Sequence, residues 1–281
     1  MTRSTGQPDP SGPPETVRAV TGPSGPLNVV AQGAGPTVLI VHGGSGDVTA
    51  WAPVAARLAD GFRVLRYTRP LYRLDPPPTG APAVAAEVGD VLAVARDAAA
   101  PILLVGHSSG AAVALEAVLA EPATFRALAL YEPPLDVTHS PAGADALRRA
   151  RVALDAGSPV EAMRIHLTGL VGLPADLVDR MLAVPQARAF FAGCAAGQIA
   201  DNEMLDALPA GMDRFAAVEL PTLLLCGEHS PTHLLDRSRA LAAALPRTPR
   251  RVLLAGQAHG AQREDPDGVA AAVRAFAVTP A

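Results

Sequence analysis

Residues 101 to 110, Pro-Ile-Leu-Leu-Val-Gly-His-Ser-Ser-Gly, constrain what this chain can fold into more than any other stretch. The apolar run ahead of Gly106 is too short for a buried helix, and an Ala-rich segment with a helical pattern follows from 109 to 120. A strand, a sharp turn and a helix in so few residues force unusual backbone angles on the residue at the bend. That residue is Ser108, and Gly106 and Gly110 remove the Cβ atoms that would collide on either side of it. The turn holds Ser108 Oγ beyond the carboxyl end of a buried strand. The N–H of Ser109, opening the helix, faces the same space as a donor for an oxyanion. The pattern Gly-x-Ser-x-Gly arises by chance in about one in ten sequences of this length, so the flanking strand and helix give it its weight.

Seven further segments read as strands. Thr16–Val20 and Leu27–Ala31, separated by Gly-Pro-Ser-Gly-Pro, form an antiparallel hairpin expected at a sheet edge. Pro36–Val41, Phe62–Tyr67, Phe125–Tyr131, Pro221–Cys226 and Arg251–Leu254 follow, and the continuous apolar runs among them mark strands buried on both faces. Helical spacing covers Trp51–Ala59, with Trp51, Val54 and Leu58 on one core-facing stripe, then Ala83–Ala99, 232–245 and Pro266–Phe276. Between 135 and 216 the pattern changes to uneven helices at 143–155, 159–171, 174–184 and 186–198. With 281 residues, 49% of them hydrophobic, the chain can bury one large α/β core. The expected division is a core of residues 15–134 and 217–281, an inserted helical cap at 135–216, and a disordered N-terminus at 1–14.

At Gly106 to Gly110 the chain resembles the α/β-hydrolase superfamily, in which the central serine of this turn is the nucleophile. The resemblance covers about 16–134 and 217–278. It implies a mostly parallel eight-stranded sheet with helices on both faces and an inserted cap, with Ser108 as nucleophile. In that family a His-Gly-x turn after an earlier strand supplies the second oxyanion-hole donor. Here His42-Gly43-Gly44-Ser45-Gly46 follows Pro36–Val41, which assigns the N–H of Gly44, with that of Ser45 a close second, beside the N–H of Ser109. The family's general base lies in the loop after the last strand, and of the seven histidines His259 has that position.

A serine hydroxyl is a poor nucleophile at neutral pH, so it needs an imidazole to take its proton and return it to the leaving group. A buried carboxylate must then hold the tautomer of that imidazole and stabilise the imidazolium that forms. The family most often places this acid three residues after the Gly ending the seventh strand, which here is Ser230. Two carboxylates can substitute. Glu132 follows the sixth strand, where haloalkane dehalogenases and certain lipases of this fold keep their acid, and Pro133 and Pro134 fix its exit direction. Glu228 lies two residues before the vacant position, in a turn after Gly227. A salt bridge from Glu132 to an arginine of the cap, or no acid at all, stays open at this point. A serine nucleophile does not imply dehalogenase or epoxide-hydrolase chemistry, which uses an Asp there.

Ser45, Tyr67, Arg69 and Tyr72 lie in loops facing the same rim and are candidate substrate contacts, the last three being equally readable as a solvated loop. The net charge of −4, without long charge runs, argues for a small-molecule substrate rather than nucleic acid or an anionic membrane. Cys194 and Cys226 form no CxxC and read as reduced thiols, so neither a metal nor a cofactor is expected. All 23 basic residues are Arg, a codon bias of GC-rich bacterial genomes. Residues 1–14 lack the apolar core of a signal peptide and no 18-residue apolar run occurs, giving a cytoplasmic monomer or homodimer as the expectation. The function expected is hydrolysis of a small ester, thioester or lactone. The alternatives are a cofactor-free lyase, cyclase or C–C bond enzyme and, third, a non-enzymatic small-molecule receptor.

Overall fold

Side chains alternate across the central strands and sort the core into two layers. In β3 (Thr37–Val41) Leu39 and Val41 enter one apolar cluster while Val38 and Ile40 enter the other. In β5 (Ile102–His107) Ile102 and Leu104 join the first cluster, Leu103 and Val105 the second. Such strands are buried on both faces and therefore read as unbroken apolar runs. The computed structural model describes residues 13–73, 84–99, 101–136 and 139–278. The expected disordered tail, apart from residues 13 and 14, and the Pro-rich stretch from 74 through Gly80 lie outside the described residues.

Eight strands form one sheet in the order β1-β2-β4-β3-β5-β6-β7-β8, with β1 (Glu15–Gly22), β2 (Gly25–Gln32), β4 (Arg63–Arg66), β6 (Phe125–Tyr131), β7 (Thr222–Gly227) and β8 (Arg250–Leu254). The strands from β3 onward run parallel, and β1 and β2 are antiparallel. The hairpin was expected to lie wholly at the edge, yet β2 is interior because its far side pairs with β4. Helices α1 (Ala52–Leu58) and α10 (Pro266–Ala277) cover one face, with Trp51 buried beside them, while α2 (Val84–Ala98), α3 (Ser109–Ala120) and α8 (Thr232–Ala244) cover the other.

Between β6 and β7 the chain forms α4 (Pro141–Asp155), α5 (Pro159–Gly169), α6 (Ala175–Ala183) and α7 (Pro185–Asp206). These helices pack on one another through small apolar clusters of their own, such as Ala146, Ala150, Ile165 and Ile199. Helix α7 runs to Asp206, two turns past the expected end at 198. The short helix α9 (Ala261–Glu264) follows the His259 loop. Among the described residues no helix is long and apolar enough to cross a membrane.

Candidate active site

Ser108 is the residue between β5 and α3, and its φ of 52° and ψ of −129° lie where side chains are strained. The glycines around it make this bend possible. A Cβ on Gly110 would stand 2.3 Å from His42 O, and one on Gly106 would stand 2.5 Å from Ala111 Cα. The Ser108 N–H donates to Tyr131 O at 2.8 Å, which ties the bend to the neighbouring strand end. Ser109 is the first residue of α3, so its N–H has no acceptor within the helix. Ser45 (φ 50°) and Glu132 (φ 46°) also have positive φ, so three of the five such non-glycine residues among those described sit around this one rim.

Glu132, fully buried, leaves β6 directly toward the loop after β8. Its Oε2 accepts from His259 Nδ1 at 2.6 Å, and its Oε1 accepts from the Gly227 N–H at 2.7 Å. With the proton on Nδ1, the Nε2 of His259 carries the lone pair that a general base needs. Glu228 goes elsewhere: its Oε2 accepts from the Gly256 N–H at 2.7 Å, at the surface. Ser230, at the position where the family most often keeps its acid, is buried, and its hydroxyl has no partner among the described residues.

Two aromatic residues that the sequence reading did not single out clamp the His259 loop. His107 Nε2 donates to His259 O at 3.0 Å, and its ring stacks on Tyr131 with centroids 4.9 Å apart. Tyr131 donates its hydroxyl proton to Ala258 O and accepts from the Ala261 N–H at 3.2 Å. Burial, with His259 beside it, pushes the His107 pKa well below 6.5, so the ring is neutral at pH 7 and serves as a donor. The sequence signal available was only that His107 occupies the first variable place of the Gly-x-Ser-x-Gly turn.

Ser108, His259, Gly44, Ser45 and Ser109 line one cavity of about 450 Å³. Leu167 and Leu170 of α5 and its exit, Met181 of α6, and Phe190 and Phe191 of α7 make its apolar wall. A cleft of about 530 Å³ elsewhere, lined by Arg164, Asp179 and Arg188, contains neither Ser108 nor His259.

Tyr67, Arg69 and Tyr72 do not reach this cavity, which corrects the expectation that they contact substrate. A turn at Pro70–Tyr72 tucks Arg69 and Tyr72 under α7. Arg69 Nη2 donates to Asp201 Oδ1 at 2.7 Å, its Nε to Glu87 Oε2 at 2.7 Å, and its Nη1 to Ser109 Oγ at 2.9 Å. Tyr72 and Ser109 both donate their hydroxyl protons to Asp201 Oδ2 at 2.6 Å. Tyr67 is buried in the core. The Arg69 N–H donates to His42 Nε2 at 2.9 Å, and His42 Nδ1 donates to Gly43 O at 2.7 Å, which fixes the turn ahead of Gly44. Burial, then Arg69, lowers the His42 pKa to about 4, so this ring is neutral.

The sequence profile of the alpha/beta hydrolase family matches residues 38–272, most of the chain. The chain belongs to the α/β-hydrolase family. It is 30% identical to an α/β-hydrolase from Sphaerobacter thermophilus, with a TM-score of 0.80 over 93% of this chain and 100% of that one. A thermophilic esterase from Thermogutta terrifontis (21% identity, TM-score 0.74, 93% and 98% covered) shares the fold. So does the enol-lactonase from Burkholderia xenovorans (20%, 0.74, 93% and 100%). No curated protein matches the chain in sequence. In this α/β-hydrolase the carboxylate that meets His259 therefore follows the sixth strand, and a serine stands at the seventh-strand position.

Proposed function

We propose that this α/β-hydrolase cleaves a small-molecule ester, thioester or lactone through an acyl-enzyme on Ser108. The observation that carries the reading is the 2.6 Å hydrogen bond from His259 Nδ1 to the buried Glu132. It leaves Nε2 as a base on the same cavity as the Ser108 hydroxyl. Ser108 Oγ attacks the acyl carbon as its proton passes to His259 Nε2. The carbonyl electron pair moves to oxygen, and the N–H groups of Ser109 and Gly44 receive the oxyanion. Collapse of the tetrahedral species breaks the bond to the leaving group, which takes the proton from His259. A water then gives a proton to His259, attacks the acyl carbon and frees the acid, restoring the Ser108 hydroxyl. Side chains and water are enough for these steps.

Glu132 stabilises the imidazolium that exists only between proton transfers, so its charge helps the transition state more than the resting enzyme. Helices α5 to α7, which bring apolar side chains to the cavity, act as the cap that excludes water and selects the acyl group. The test is release of p-nitrophenolate from p-nitrophenyl butyrate, together with fluorophosphonate labelling. Turnover and labelling, both abolished by Ser108→Ala, support hydrolysis. Labelling without turnover on any ester or thioester points to the non-hydrolytic alternative, and neither one sinks the assignment of Ser108.

A further inference from the structure

A line of side-chain hydrogen bonds runs from the Gly44–Ser45 turn into the helices. Ser45 Oγ donates to Gln198 Oε1 at 2.8 Å, Gln198 Nε2 donates to Asn202 Oδ1 at 3.1 Å, and Asn202 Nδ2 donates to His166 Nδ1 at 2.8 Å. All four residues line the cavity that holds Ser108. Gln198 is held hard against the turn, since a Cβ on Gly44 would stand 2.3 Å from its amide oxygen. Because His166 accepts at Nδ1, a neutral ring must carry its proton on Nε2. Burial lowers the His166 pKa to about 4, so the ring is neutral at pH 7. Nε2 has no protein acceptor among the described residues, and it is not among the atoms that protein encloses. One oriented N–H donor therefore opens into a cavity whose nearby walls, Leu167 and Leu170, are apolar.

A donor in such surroundings is matched by an oxygen acceptor, and leaving it unmatched has a cost once water is expelled. The charge of that acceptor is constrained as well. The buried Asp201 carboxylate acts on His166 from the same helix as Asn202, so a second negative charge placed against His166 would meet its repulsion, with Arg263 of the cavity lining offset by Glu264 beside it. We propose that His166 Nε2–H recognises an uncharged oxygen, a ketone or hydroxyl, on the acyl part of the substrate. This rests on the ester-hydrolysis reading and narrows its substrate class to oxygenated acyl groups.

The test separates binding from turnover. Calorimetry on Ser108→Ala compares N-methyl hexanamide with the N-methyl amides of 3-, 4- and 5-oxohexanoic acid. At least one oxo isomer is expected to bind about tenfold tighter than the plain amide. Adding His166→Phe should erase that preference, and His166→Gln, which retains an N–H donor, should restore part of it. In otherwise unaltered enzyme, the ratio of kcat/KM for the matching oxo and plain p-nitrophenyl hexanoates should fall by the same factor in His166→Phe. Equal affinity for all four amides, or a preference that survives His166→Phe, would overturn the proposal. A His166-dependent binding preference without turnover of any ester would uphold the donor site and overturn the hydrolytic reading instead.

Discussion

The rim of the sheet and the layer beneath α7 each bury one carboxylate completely, and they treat it in opposite ways. Asp201, on α7, accepts from two nitrogens of Arg69 and from the hydroxyls of Tyr72 and Ser109. Burial would push its pKa up, but Arg69 and these hydrogen bonds outweigh it and hold the carboxyl below its usual range. Glu132, at the end of β6, has one backbone N–H and one imidazole and makes no ion pair with an arginine among the described residues. A carboxylate already neutralised by a guanidinium has nothing left to give a transition state. One whose partner becomes a cation only during reaction stabilises the step that creates it. Asp201 accordingly secures α7 to the core, and the pairing of Glu132 with His259 fits the role proposed for it.

The largest expected effect comes from removing the charge of Glu132. Glu132→Gln should lower kcat on an accepted ester by about 10²- to 10⁴-fold with KM little changed, read by steady-state kinetics, while the fold persists. Asp201→Ala should do the reverse and cost stability first. It leaves the buried Arg69 with Glu87 as its one remaining carboxylate and takes the acceptor from the Tyr72 and Ser109 hydroxyls, so denaturant titration should show a loss of about 3 kcal/mol.

A third expectation concerns acid. His42 and His166 have pKa values lowered from 6.5 to about 4 in the fold. Between those values the unfolded chain binds the extra protons, so the stability each ring contributes is complete above about pH 6.5 and is lost as pH falls toward 4. His166→Gln should flatten that decline, by up to about 3 kcal/mol between pH 7 and 4. The smallest effect belongs to Glu228→Gln, whose carboxylate holds an exposed turn: turnover within about twofold and stability within about 0.5 kcal/mol of the parent. A large loss of activity there would erase the contrast with Glu132.

Much of the molecule was legible because its strands are short, apolar and bounded by turns. Ile102 to His107 and the glycines around Ser108 specify their bend locally, and Glu132 with two prolines behind it could be seen to leave a strand end. The buried polar layer was not legible for a physical reason. Arg69 looks like a loop cation until Asp201, 132 residues later, is brought against it, and no local period encodes that pairing. The same residues hid the length of α7. Gln198, Asp201 and Asn202 face inward to hydrogen-bond partners, so they interrupt the apolar stripe at the point where the helix was expected to end. His166 was equally invisible, because the proton on its Nε2 follows from Asn202 and not from its own neighbours in sequence.

The central claim is that Ser108 is a nucleophile activated by His259 under the charge of Glu132. Its most direct measurement is the rate at which a fluorophosphonate phosphonylates the peptide containing Ser108, followed by mass spectrometry in the parent, Glu132→Gln and His259→Ala proteins. Labelling confined to Ser108 in the parent, slowed at least about 10²-fold in Glu132→Gln and lost in His259→Ala, is the result expected. Labelling at another residue, or at Ser108 with equal rates in all three proteins, would contradict it.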